Sequence, residues 1–101
     1  MRHMKLTLSC PKAVLEDVVE HLLDSKLLPC GFTTIAANGH GADFADASLR
    51  EKVRGRIRTA LVMAVMPADN VGPLLDGLRS SFRGPRIQYW TETVPEFGDF
   101  A

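Results

Sequence analysis

Arg50, Lys52, Arg54, Arg56 and Arg58 occupy every second position of one short run, and they make up five of the chain's twelve basic side chains. Alternate residues of an extended chain share a face, so a strand here would line its cations up on one side. Guanidinium groups so arranged suit capture of a phosphate or carboxylate, with Arg54, Arg56 and Arg58 as the main contacts and Arg50 behind them. The same residues could also form an ordinary solvated edge, with Asp43, Asp46 and Glu51 as surface partners. Upstream, residues 38–48 have no regular apolar period and hold a histidine between two glycines, Gly39-His40-Gly41. The glycines allow a tight backbone that exposes the imidazole, either as an anion donor or as a metal ligand. His40, Asp43 and Asp46, joined by Cys10 or Cys30, define a second chemistry, the binding of a transition metal.

Ser48-Leu49-Arg50-Glu51 fits a capping box, which predicts a short helical turn from Leu49 to Val53 ended by Gly55. Arg50 and Arg54 would still share a face in that turn, while Lys52 would turn away. No nucleophile elbow, phosphate-loop Gly-Lys-Ser/Thr or His-Glu-x-x-His occurs, so no enzyme is expected and no organic cofactor is indicated. His21 falls on a polar helical face and is expected to be solvated. The 101 residues carry twelve acidic and twelve basic side chains, a balance that speaks against nucleic acid or a membrane surface as partner. No apolar run approaches the ~20 residues of a membrane span, and a cytoplasmic protein without membrane insertion is expected. Two cysteines are too few for a disulfide framework and lack zinc-site spacing, so reduced, partly buried thiols are expected. Met1-Arg2-His3 has the makings of an amine-amide-imidazole chelate, but residues 1–3 also resemble a cloning scar or a disordered start.

The elements that must position these groups follow from periodicity. Residues 4–10 alternate as a half-buried strand, and Pro11 then opens a helix whose apolar face is Val14, Leu15, Val18, Val19, Leu22 and Leu23. Residues 31–37 read as a second strand, and residues 56–65 as a third, ended by Met66-Pro67. Asp69 or Asn70 is placed to cap a second helix with Val71, Leu74, Leu75, Leu78 and Phe82 inward, which leaves Pro73 in the first turn. A fourth strand covers residues 86–94. The order βαββαβ predicts a single α+β domain over residues 1–101, a ferredoxin-like sandwich with two helices on one face of a four-stranded antiparallel sheet. In this arrangement Cys10 and Cys30 are expected at one end of the sheet, with the third strand between theirs. The third strand is apolar on both sides, so the face without helices needs a cover, for which a second copy of the chain is the simplest candidate.

Leu8-Ser9-Cys10-Pro11, Gly31-Phe32-Thr33, Gly39-His40-Gly41, the run from Ser48 to Arg56 and Tyr89-Trp90 together resemble a bacterial PII-like family of unknown function, often encoded beside heavy-metal efflux systems. The resemblance covers nearly the whole chain. It implies a PII-like homotrimer with a regulatory, signalling role, in which residues 38–55 correspond to the partner-touching T-loop. It further implies that a small anion or nucleotide binds between subunits, and that a membrane transporter or efflux protein is the partner. A transition metal linked to metal tolerance is the alternative. The chain departs from nitrogen-regulatory PII proteins in having only Phe82-Arg83-Gly84-Pro85-Arg86 where they carry a glycine-rich phosphate loop. Tyr89 and Gln88, the sole tyrosine and glutamine, lie in the fourth strand, so uridylylation and ATP or 2-oxoglutarate sensing are not implied.

Overall fold

The computed structural model describes residues 2–41, 57–84 and 86–101. Strand β1 (His3–Pro11) leads through a 3-10 turn (Lys12–Val14) into helix α1 (Leu15–Leu23). Strands β2 (Thr33–Gly39) and β3 (Ile57–Pro67) follow, then helix α2 (Ala68–Ser81) and strand β4 (Gln88–Val94). The strands form one sheet in the order β2-β3-β1-β4, antiparallel at every junction. This is the expected ferredoxin-like α+β fold.

Alternation along the strands separates two faces. Toward the helices point Leu6, Leu8 and Cys10 of β1 and Ala60, Val62, Ala64 and Met66 of β3, all buried against Val18 and Leu22 of α1 and Val71, Leu74, Leu75 and Leu78 of α2. Each such large aliphatic side chain contributes roughly 1.5–3 kcal/mol on full burial. The other face carries no helix and is mixed, polar along β1 and β4 at Lys5, Ser9, Gln88 and Glu92 but apolar along β3. Leu61, Met63 and Val65 are half-buried there, and Ile35 and Trp90 are 45% and 44% exposed.

Several boundaries differ from the sequence reading: β3 runs on through Pro67 and β4 starts at Gln88 rather than Arg86, and three others have a local reason. Gly31 takes a left-handed φ of 74° and donates its N–H to the Leu28 carbonyl at 3.1 Å, so β2 starts two residues later and runs on to include Asn38 and Gly39. Helix α2 starts at Ala68 behind Pro67, with no side-chain cap, which places Pro73 in the second turn rather than the first. Proline there deprives the Asp69 carbonyl of its helical donor, and Gly72, lacking a Cβ, relieves the clash that Pro73 would otherwise make with the residue before it. His3 is no loose start. It is the first residue of β1, in register with Pro67 and Val94, and its ring lies 5.2 Å from that of Phe97.

Thr7 occupies the middle of the helix-free face, in register with Met63 and Trp90. It is only 2% exposed, and its hydroxyl has no hydrogen-bond partner among the described residues. A buried hydroxyl without a partner is destabilising, so Thr7→Val, nearly equal in size, is expected to raise unfolding stability by about 1–2 kcal/mol. Denaturant titration of the two proteins checks this. A loss of stability would mean that the hydroxyl finds its partner in the assembled protein.

Candidate functional site

The topology collects basic groups at one end of the sheet. Strands β1 and β2 run parallel to one another on either side of β3, so both finish at this end, where β3 and β4 begin. Arg58, second residue of β3, is exposed and stands opposite Asn38 on the helix side of the sheet. It lies one step beyond the last β1–β3 pair, Pro11 with Thr59, and Lys12 follows Pro11 at the same level. His40 follows Gly39, the last residue of β2, and is exposed. Gly41 then adopts a φ of 146°, a conformation that side-chain-bearing residues rarely take, which explains a glycine at that exit.

The connection from α2 into β4 enters at this same end. It brings Arg83 and Arg86, both exposed, close to the start of β4, where Gln88 pairs with Ser9. Lys12, Arg83 and Arg86 are not flagged by motif or spacing. Only the sheet order reveals them, because they come from two connections, β1 to α1 and α2 to β4, that are distant in sequence. Glu16 and Asp17, in the first turn of α1, are acidic counterparts that begin at this end. Arg50, Arg54 and Arg56, with the capped turn from Leu49 to Val53, lie outside the described residues, as do Asp43 and Asp46. Arg58 is therefore the part of the alternating run that the structure places.

The cysteines do not join this cluster, contrary to the expectation from sequence. Because β1 and β2 are parallel, the end of one and the start of the other fall at opposite ends of the sheet. Cys10 sits level with Ala60 and Ala36, whereas Cys30 lies before β2 beside Lys5, Val65 and Phe97. Cys10 is 1% exposed, and burial raises its thiol pKa, so it stays protonated and poorly suited to metal. Cys30 is exposed rather than partly buried, and both thiols are free. Among the described residues, no three His, Cys, Asp or Glu side chains group as a metal site. His21 is also not simply solvated. It is partly buried, meets the Phe82 ring edge-on at 5.8 Å and faces Gly77 across the helix pair.

A four-stranded sheet of this order, backed by two helices and carrying a basic end where β2 departs toward β3, is a PII-like fold. Residues 1–101 match the family described as a protein of unknown function (DUF3240), and the chain belongs to that family. A solved DUF3240 protein from Shewanella baltica OS155 superposes with a TM-score of 0.80 at 18% identity, over 98% of this chain and 97% of that one. CPII, a nitrogen regulatory PII-like protein from Thiomonas intermedia K12 bound to ADP, AMP and bicarbonate, superposes with a TM-score of 0.70 at 20% identity, over 93% of this chain and 91% of that one. The apo form of CPII gives 0.62 at 19% identity, over 93% and 92% of the two chains. No curated protein matches the sequence. No helix among the described residues is long and apolar enough to cross a membrane.

Proposed function

We propose that this protein is a non-enzymatic PII-like regulator that binds a small anion or nucleotide at the basic end of its sheet and contacts a partner protein through residues 38–55. The observation that carries the reading is that Lys12, His40, Arg58, Arg83 and Arg86 all fall at one end of the sheet, His40 and Arg58 where β2 leaves for β3 and Arg83 and Arg86 before the opposite edge strand β4. A ligand held there would touch the base of the connecting segment, so occupancy and partner contact would be linked through one short stretch of chain. The likeness to CPII, solved with ADP, AMP and bicarbonate, supports nucleotides and bicarbonate as the ligands to try first. In the same reading the protein is a homotrimer that buries its helix-free face, Arg54, Arg56 and Arg58 face the anion between subunits, and the partner is a transporter or efflux protein.

The test is calorimetric titration with ADP, AMP, ATP and bicarbonate, and separately with Cu(II), Zn(II) and Cd(II). Binding of a nucleotide or bicarbonate that weakens as salt is added is the expected result. If a transition metal binds through His40 and no anion does, metal handling replaces this reading.

A further inference from the structure

A groove lies on the helix side of the sheet between α2 and the edge strand β4, adjoining the basic end through Phe82 and Ile87, the neighbours of Arg83 and Arg86. Leu8, Leu75, Leu78 and Ile87 are among the residues that line a cavity of about 120 Å³, with Arg79 and Tyr89 beside them. The arginine is held in place: Nη1 donates to Asp76 Oδ1 at 3.3 Å and Nη2 donates to Tyr89 Oη at 3.1 Å. Its guanidinium carbon also lies 5.5 Å from the centre of the Tyr89 ring. These two bonds leave further N–H donors of the guanidinium for a carboxylate. The groove thus offers an apolar cavity with a positioned cation beside it.

The chain itself carries a segment of matching chemistry. Residues 95–101 include Glu96, Phe97, Asp99 and Phe100, two acids and two phenylalanines with no basic residue. Phe97 is engaged, its ring against His3 at the far end of β1. Phe100 is fully exposed, and the Asp99 carboxylate beside it accepts the Ala101 N–H at 3.1 Å, which leaves its second oxygen to spare.

The tail is anchored away from the groove of its own subunit: Phe97 lies with His3, Lys5 and Val65 on the helix-free side, whereas the groove opens on the helix side, and Leu8 is about 16 Å along β1 from His3 against a Phe97-to-Phe100 backbone span of about 11 Å. We propose that the groove receives the Phe100 ring of a second copy of this chain, with Asp99 of that copy paired to Arg79. The fit is apolar ring to apolar cavity and carboxylate to guanidinium, and the contact runs head to tail, so it can close a ring of subunits. It requires subunits to associate, as in the reading above, but does not depend on the anion site.

The experiment has two arms. A synthetic peptide of residues 95–101 is titrated into full-length Phe100→Ala protein while the methyl resonances of Leu75, Leu78 and Ile87 are followed, and self-association of the parent, Phe100→Ala and Arg79→Asp proteins is measured by sedimentation. The expected result is saturable shifts at those methyls, self-association weakened about ten-fold or more in each single variant, and recovery when Arg79→Asp is combined with Asp99→Arg. The proposal fails if the peptide shifts no groove methyl, or if Phe100→Ala associates as the parent does. Those results would leave burial of the helix-free face untouched, because Trp90 lies on the opposite side of the sheet.

Discussion

Replacing Trp90 by glutamate is expected to convert the proposed trimer into a folded monomer. Trp90 pairs with Thr7, which pairs in turn with Met63, so all three share the helix-free face. On the helix side Leu8, Val62 and their neighbours are sealed beneath α1 and α2, whereas Trp90 remains 44% exposed, across β1 from a strip of half-buried Leu61, Met63 and Val65. A sheet facing water on one side should alternate cleanly, and β3 does not, although β1 and β4 place Lys5, Ser9, Gln88 and Glu92 on this face. Tryptophan buried at the centre of an interface commonly contributes 2 kcal/mol or more, and a glutamate there would also have to lose its hydration. A loss of that size weakens each interface about 30-fold, and a ring of three holds three such contacts, so assembly should weaken by something on the order of 10⁴-fold. The exposure of Trp90 in the single subunit means that the fold should tolerate the change, which far-ultraviolet circular dichroism would verify alongside sedimentation. If the variant sediments at the parent's size, the helix-free face is not where subunits meet, and the trimer loses its physical basis.

The fold was legible because its signals are local and agree with one another. β1 alternates, α1 has a single apolar stripe, and β3 is a long apolar run bounded by Met66-Pro67. The discrepancies arise where one backbone torsion or one missing donor decides the boundary. Gly31 in a left-handed conformation delays β2, and Pro73 sits deeper in α2 than its chemistry would suggest. The candidate site was legible only in part. Spacing singles out Arg58 and glycine flanks single out His40, but Lys12, Arg83 and Arg86 belong to connections whose proximity depends on strand direction. The same dependence undid the expectation that Cys10 and Cys30 lie at one end of the sheet. Two parallel strands joined by a helix have their like ends together, so the end of β1 meets the end of β2 and not its beginning.

Arg58→Ala is expected to weaken binding of the nucleotide or bicarbonate ligand by about ten-fold or more, and the double variant with Arg56→Ala by about a hundred-fold. Arg58 is exposed on β3 next to the point where the chain from the alternating run enters the sheet, and Arg54 and Arg56 share its parity. A charge-assisted hydrogen bond that becomes desolvated on binding contributes roughly 1.5–3 kcal/mol, which corresponds to a ten-fold or greater change in affinity. An exposed arginine serving only as a solvated edge contributes about 0–1 kcal/mol to anything measurable, so the two roles predict different outcomes. Arg2→Ala is the control. That side chain is exposed at the opposite end of β1, and its loss removes the same formal charge without touching the basic end. Calorimetry at two ionic strengths should show that removal of Arg58 lowers affinity and also makes binding less sensitive to salt, while removal of Arg2 does neither. If a ligand binds and both Arg58→Ala and Arg56→Ala retain its affinity, the alternating run is not the cradle, and Arg83 and Arg86 on the α2–β4 connection become the groups to replace next.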